Sequence, residues 1–228
     1  MFGPIMRFMV EKSGLRVELA PLKREDMPEF VKDGGMQSYE VLKFLGRTTA
    51  AVLEDEYDWY DNKARKSEND LIWGIYVIDG DSRIIIGTTG LHDIYGRTFF
   101  PKASCTSGIM IFRPEYWGKG IAGACHRART MYAFDVLGMV AIRSGVICPN
   151  EASRRAVESV GYVVHHTDRM HGYHNGAPRN DFALLCVNPC KYIWPYWWHA
   201  EKPTKRYRDG RKKATVAIEW ARQNVVLP

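Results

Sequence analysis

Residues 113–122 read Arg113-Pro-Glu-Tyr-Trp-Gly-Lys-Gly-Ile-Ala122, and they separate two kinds of sequence. Before them, Thr106-Ser-Gly-Ile-Met-Ile-Phe112 is a short apolar run that predicts a strand. After them, apolar residues from Ile121 to Leu137 recur near helical spacing. The stretch is therefore a strand-to-helix loop with two glycines. Glycines let a backbone approach a ligand closely, and the amides of such a loop line a concavity. The helix N-terminus behind them adds partial positive charge. The amides of Gly118, Gly120, Ile121 and Ala122 make a cradle suited to a pyrophosphate, with Ile111 ahead of it and Trp117 and Lys119 beside it. Lys119 either adds charge or is a solvated loop lysine. A lone Gly-x-Gly at this position is equally a tight turn.

On the N-terminal side, Arg16–Leu19 alternates as a first strand, and residues 21–31 carry helix-start chemistry. A helix is predicted over Leu53–Lys66, whose Tyr57, Trp59 and Tyr60 read as core packing. Leu71–Ile78 and Arg83–Leu91 are strands joined by Asp79-Gly-Asp81, a hairpin turn, and with Thr106–Phe112 they predict a meander. On the C-terminal side, Val140–Ile147 is a strand and Asn150–Gly161 a helix capped by Asn and closed by Gly. Tyr162–His166 and Phe182–Val187 are the last strands, joined by the polar segment 167–181. The pattern predicts an α+β domain with one central sheet.

The 228 residues suit one domain with an appendage. With 46% hydrophobic and 25% charged residues, neither disorder nor a disulfide scaffold is needed. The cysteines, Cys105, Cys125, Cys148, Cys186 and Cys190, are odd in number and scattered, which points to a reducing compartment and away from a zinc site. No cleavable leader or membrane span is legible, so a cytoplasmic protein is expected. The net charge of +6 is not spread evenly: residues 191–228 hold nine lysines and arginines against three acids, whereas residues 1–190 balance. This divides the chain into a domain, 1–190, and a basic, aromatic extension, 191–228.

The loop is neither a dinucleotide fingerprint, since no Gly-x-Gly-x-x-Gly follows the first strand, nor a Walker loop, since no Gly-Lys-Ser/Thr ends it. It resembles the acetyl-CoA loop of the GNAT superfamily, whose usual core is Gln/Arg-x-x-Gly-x-Gly/Ala. Asn150-Glu-Ala-Ser153 with Glu158-Ser-Val-Gly161-Tyr162 resembles the next signature of the branch holding the ribosomal-protein N-terminal (Rim-type) acetyltransferases. Asn175-Gly176 with Asp181 is similar to that branch's turn before the final strand. The ordered set covers roughly residues 14–190. It implies a GNAT fold, a mixed and mostly antiparallel sheet flanked by helices, with acetyl-CoA as cosubstrate and no metal. Three positions depart from the pattern. Trp117 replaces the usual Gln or Arg, Thr106 stands where the branch often has a glutamate, and His171-Gly-Tyr-His174 stands where some members have a catalytic glutamate.

Amine acylation needs CoA held, an ammonium deprotonated, the carbonyl oxygen stabilised and the thiolate protonated. The resemblance makes Ser153 a candidate general acid, against the plainer reading of a helix-start residue, and makes Asn150 a pantetheine contact, a cap or both. Candidate bases are His92, Asp93, His165, His166, His171 and His174. His171 and His174 are favoured because they occupy the family glutamate's place, although each is also readable as a loop histidine. Cys105, Cys125 and Cys148 offer a less favoured acyl-enzyme route. Two functions follow: an N-acetyltransferase acting on a protein N-terminus or a small-molecule amine, or a non-catalytic CoA-binding module acting through its extension. Segment 191–213 interleaves aromatic and cationic residues, suited to nucleic acid or an acidic protein, while its tryptophans are equally suited to packing on the domain or on a second copy of the chain.

Overall fold

The computed structural model describes residues 1–45, 49–95, 103–174, 176–199 and 201–228. Their strands follow one mixed sheet order, β1-β2-β3-β4-β5-β6-β8-β7. The chain divides into two compact units: Met1–His92, Ile109–Ile121 and Val225–Pro228 form the first, and Asp93–Gly108 and Ala122–Asn224 the second.

The first unit begins with a strand ahead of the one expected at Arg16–Leu19. In β1 (Met6–Val10), Met6, Phe8 and Val10 are buried while Arg7 and Met9 face outward. It pairs antiparallel with β2 (Leu15–Ala20), from Met6↔Leu19 to Val10↔Leu15. Three short helices follow, α1 (Met27–Val31), α2 (Tyr39–Leu42) and α3 (Leu53–Asp58), the last extended by a π-helical turn over Trp59–Ala64. The hairpin of β3 (Leu71–Asp79) and β4 (Ser82–Tyr95) turns at Gly80 and carries a bulge at Ile75/Tyr76. Phe30, Tyr76, Ile85 and Phe112 sit at the centre of this unit's core, with Tyr57, Trp59 and Tyr60 packed against it as expected.

Glu18 and Glu56 are buried carboxylates of the first unit, and Glu18 is paired. Its carboxylate accepts hydrogen bonds from Arg7 Nε at 2.7 Å and Arg83 Nε at 2.9 Å. Burial pushes its pKa up, but the two guanidinium partners outweigh burial and hold it below the ordinary 4.5. Because the folded value is depressed, the stabilisation is present above 4.5 and disappears as pH falls through the folded value. Glu18→Gln should therefore be less stable than the parent at neutral pH. The gap in urea midpoint should close in acid, and a gap independent of pH would contradict this account.

The second unit holds the start of β5 (Ser104–Ile111), which pairs in parallel with β6 (Ala141–Ile147) over Ser104–Thr106 and Ala141–Arg143. Most of helix α4 (Ile121–Met131) lies here, and a π-helical turn over Tyr132–Val136 prolongs it. After β6 come α5 (Glu151–Ser159), β7 (Val163–His174) and β8 (Ala177–Val187). β8 pairs antiparallel with both β6 and β7. Segment 167–181, expected to be a polar connection, is instead mostly strand: β7 and β8 continue through it as a ladder, and Asn175 lies outside the described residues. Backbone pairing supplies the order there, since the segment is largely exposed.

The extension is also ordered more than expected. α6 (Ile193–Trp198) buries Trp194, and α7 runs over Lys205–Asn224, so the basic stretch 205–213 is helical. Trp194 and Tyr207 share a core cluster with Ala141, Val163, Leu185 and Val187. α7 meets the turn after α5 where both backbones lack side chains. A Cβ on Gly161 would lie 2.6 Å from the Gly210 carbonyl oxygen, and one on Gly210 would lie 2.5 Å from Val163 Cγ2. Arg222 closes the helix with two 2.8 Å contacts to Asp135. Among the described residues, no helix is long and apolar enough to cross a membrane.

Candidate active site

The loop after β5 is held at its base by Arg113. The Arg113 side chain donates to the Ile85 carbonyl at 3.1 Å and pairs with Glu29 of α1. Trp117 folds back so that its indole N–H donates to the Ile111 carbonyl at 2.9 Å, while the residue remains 42% exposed. Ile111 and Trp117 thus close the shoulder of the loop through each other. The ammonium of Lys119 lies 5.1 Å from the Tyr116 ring centre.

Both loop glycines have left-handed backbones, φ +72° at Gly118 and +87° at Gly120. Such a conformation, repeated with one residue between, turns successive amides toward a common concavity. A Cβ on Gly118 would meet nothing within 4 Å, so that side of the loop is open. A Cβ on Gly120 would come 3.0 Å from Lys12 Cβ and 3.4 Å from Val10 Cγ1. Lys12, in the turn between β1 and β2, donates from Nζ to the Gly118 carbonyl at 2.6 Å. That bond occupies the carbonyl face and leaves the amides free for an anion. The sequence reading missed Lys12, whose only signal is a charge in a hairpin turn. Ile121 is buried and anchors the first turn of α4, with Ala122 following it. These residues fit a phosphate-bearing ligand: an open, glycine-lined turn at a helix start, with a lysine holding its far side.

In the second unit, Asn150 caps α5, its side chain accepting from the Ser153 backbone N–H at 3.0 Å. Ser153 is half-buried, and its hydroxyl makes no hydrogen bond among the described residues. The helix-start requirement at Ser153 is therefore met by Asn150, and the hydroxyl itself stays uncommitted.

The histidines separate by their surroundings. His92 lies 3.4 Å from Asp70 and His166 lies 3.1 Å from Asp168. His165 Nδ1 is 2.7 Å from the Tyr207 hydroxyl and so is committed to the docking of α7. Asp93 adopts φ +52°. His171 is exposed on β7 inside an irregularity between Asp168 and Gly172, where Met170 takes φ +51°. Bulges re-aim side chains, so His171 lies on a re-aimed stretch rather than in the loop expected for it. His174 ends β7, paired with Ala177. Burial pushes the Cys105 and Cys125 thiols up to about 12 and also raises Cys148, which leaves all three poor nucleophiles at neutral pH.

A buried cluster in the second unit escaped the sequence reading. Arg129 is wholly buried, and its guanidinium donates to the Gly108 carbonyl, to Ser107 Oγ and, at 2.7 Å, to His126 Nδ1. Since an arginine only donates, His126 must accept on Nδ1 and carry its proton on Nε2. Burial, helped by the Arg129 charge, drives the His126 pKa well down, so its ring is neutral. The cluster fixes Ser107 and Gly108 immediately before β5 runs on toward the glycine loop. An Arg three residues after a His, on the face of α4 shared with Cys125 and Ala128 rather than with Arg127, was the available signal.

A mixed sheet whose fifth strand leads through a glycine loop into a helix is the arrangement expected of a CoA-dependent acyltransferase. The chain belongs to the GNAT acetyltransferase family: the family described as "Acetyltransferase (GNAT) domain" matches residues 16–163. Solved structures share the fold. The spermidine N-acetyltransferase of Vibrio cholerae, determined with CoA and spermine, is 19% identical, with 75% of this chain and 95% of that one covered at a TM-score of 0.64. RimJ of Mycobacterium smegmatis, determined with CoA-disulfide, is 16% identical over 94% of each chain, with a TM-score of 0.66. A putative acetyltransferase from T. thermophilus is 24% identical over 86% of this chain and 95% of that one, with a TM-score of 0.59. No curated protein sequence matches. The chain is accordingly an acetyl-CoA-dependent N-acetyltransferase.

Proposed function

We propose that the protein acetylates a primary amine, either a protein N-terminus or a small-molecule amine, by direct attack without an acyl-enzyme. The observation that carries this reading is the left-handed glycine pair at the head of α4, braced by Lys12. Bound acetyl-CoA supplies the activated acetyl thioester. The amides of Gly118, Gly120, Ile121 and Ala122 hold its pyrophosphate, with Lys119 adding charge and Ile111 and Trp117 forming the shoulder. Asn150 and Ser153 face the pantetheine arm, and the uncommitted Ser153 hydroxyl delivers the proton to the departing sulfur. His171, or His174 in the same strand, removes the amine proton. The raised Cys105 and Cys125 thiols support direct attack over a cysteine intermediate. Residues 1–190 carry this chemistry, and residues 191–228 are an appended element that contributes no reacting group. The relatives acting on spermidine and the likeness to RimJ support polyamines and protein N-termini as the first acceptors to try.

Calorimetry with acetyl-CoA, run beside CoA release against a mixed pool of peptides and polyamines, tests the reading. Binding with release is expected, and absence of binding would overturn it. Ser153→Ala should lower kcat by about a hundredfold, the low end of positioned proton transfer, with acetyl-CoA affinity unchanged. An unaltered kcat would remove Ser153 as the acid. His171→Ala and His174→Ala separate the bases: the true base is the one whose loss abolishes the acid limb of the pH–rate profile.

A further inference from the structure

The acetyl-transfer machinery leaves one large chemical feature of the chain unused. Segment 191–228 carries nine lysines and arginines against three acids, and the remaining 190 residues are neutral overall. In the second unit α7 turns Tyr207, Gly210, Ala214, Ala217, Ile218 and Ala221 inward. The opposite side of the helix presents Lys205, Arg208 and Lys212 at spacings of three and four residues, so they form one stripe. At helical rise this stripe is about 10 Å long. Arg206 and Lys213, seven residues apart, flank it, and both are exposed. Among the described residues, Lys205, Arg206, Arg208 and Lys213 have no carboxylate in ion-pair range. Lys212 has only Asp209, at 3.9 Å with the lysine side chain 82% exposed.

α6 adds two solvent-facing aromatic rings, Tyr192 with the Lys191 ammonium 4.9 Å from its centre and Tyr196 with the His199 ring centre 5.5 Å away. α6 is fastened to α7 by the Trp198–Tyr207 edge contact, with ring centres 4.8 Å apart, and by the Arg211 guanidinium 5.0 Å over Trp194. With Trp194 buried, Tyr192 and Tyr196, one helical turn apart and on the other side of α6, are 75% and 74% exposed. A merely solvated helix face accounts for the charges and leaves two outward tyrosines unexplained. A docking surface for an acidic protein uses the charges and has no particular need of flat rings. Phosphates at regular intervals with bases between them use both.

We propose that the outer surface of α6 and the first half of α7 binds single-stranded nucleic acid, with phosphates along Lys205, Arg208 and Lys212 and bases stacked on Tyr192 and Tyr196. This inference is independent of the acetyl-transfer reading, and acetyl-CoA binding is measured on every variant so that the two stand or fall separately.

The test is fluorescence anisotropy of the full chain with labelled single-stranded RNA and DNA of about twelve nucleotides, a length within the usual site sizes. Three phosphate contacts predict log K falling against log salt with a slope of about −2. K205E/R208E/K212E should weaken binding at least about tenfold. Y192A/Y196A should weaken the single strands about tenfold and leave a duplex of the same sequence unaffected, because only unstacked bases reach the rings. Both variants should keep the parent's circular dichroism and acetyl-CoA heat. Preference for RNA over DNA, or equal binding of both, supports the proposal and names the nucleic acid. A salt slope near zero, or charge reversal without effect, would overturn it. Displacement of the RNA by a polyglutamate peptide, with the tyrosine variants binding normally, would overturn it in favour of an acidic protein.

Discussion

Gly120→Val is expected to weaken acetyl-CoA binding by at least about a hundredfold while the protein remains folded. Three costs fall on one residue. The backbone is at φ +87°, where a residue with a side chain is strained by about 1–2 kcal/mol. The new Cβ would stand 3.0 Å from Lys12 Cβ, a stem atom that cannot swing away, so the lysine that braces the Gly118 carbonyl must move. The branched methyls then project into the turn that the phosphates are to fill. At about 1.4 kcal/mol per tenfold, strain and a displaced brace alone account for much of the loss, and exclusion from the cradle supplies the rest. Gly118→Ala is the informative companion. Its φ is also left-handed, but its Cβ would meet nothing within 4 Å, so a smaller loss is expected. Calorimetry distinguishes the two. Parent-like affinity in Gly120→Val would refute the loop assignment.

Arg129→Leu should lower stability by about 3 kcal/mol or more, or roughly 10 °C in Tm for a chain of this size. The leucine fills part of the space, so cavity formation is the lesser cost. The greater one is the loss of a donor to the Gly108 carbonyl, Ser107 Oγ and His126 Nδ1, all inside the second unit. Buried acceptors stripped of their donors cost about 1–3 kcal/mol each. Arg129→Lys should fall between, since one ammonium cannot reproduce a planar fork. Calorimetric scanning provides the measurement. A leucine variant as stable as its parent would mean the cluster is dispensable.

The elements legible in the sequence were those whose burial repeats with a clean period. β3 is apolar almost throughout, and α5 announces itself through Asn150 and Gly161. What stayed hidden had no such period. β1 alternates in its burial, but Met9 is apolar and exposed, which blurs the pattern. The outer halves of β7 and β8 are held by ladder hydrogen bonds between polar residues, and backbone pairing leaves little trace in side-chain identity. The start of α7 was masked because its inward positions include Gly210 and Ala214, small residues chosen for close approach rather than hydrophobicity. The glycine loop was readable because its chemistry is local. Lys12 and Arg129 were not, because each acts on a segment far away in sequence, at Gly118 and at Ser107–Gly108 respectively.

The bridge between Arg7 and Val226 bears on how the chain folds. The two residues exchange backbone hydrogen bonds of 3.0 and 2.9 Å, one from the edge strand β1 and the other from the opposite end of the sequence. Closing so long a loop costs only logarithmically more than closing a short one. Its two bonds nonetheless form only after residues 225–228 have left the ribosome. β1 therefore spends synthesis with one edge unguarded, as a template for a neighbouring chain. The bridge at Arg7 is thus also a guard on the outer edge of the first strand.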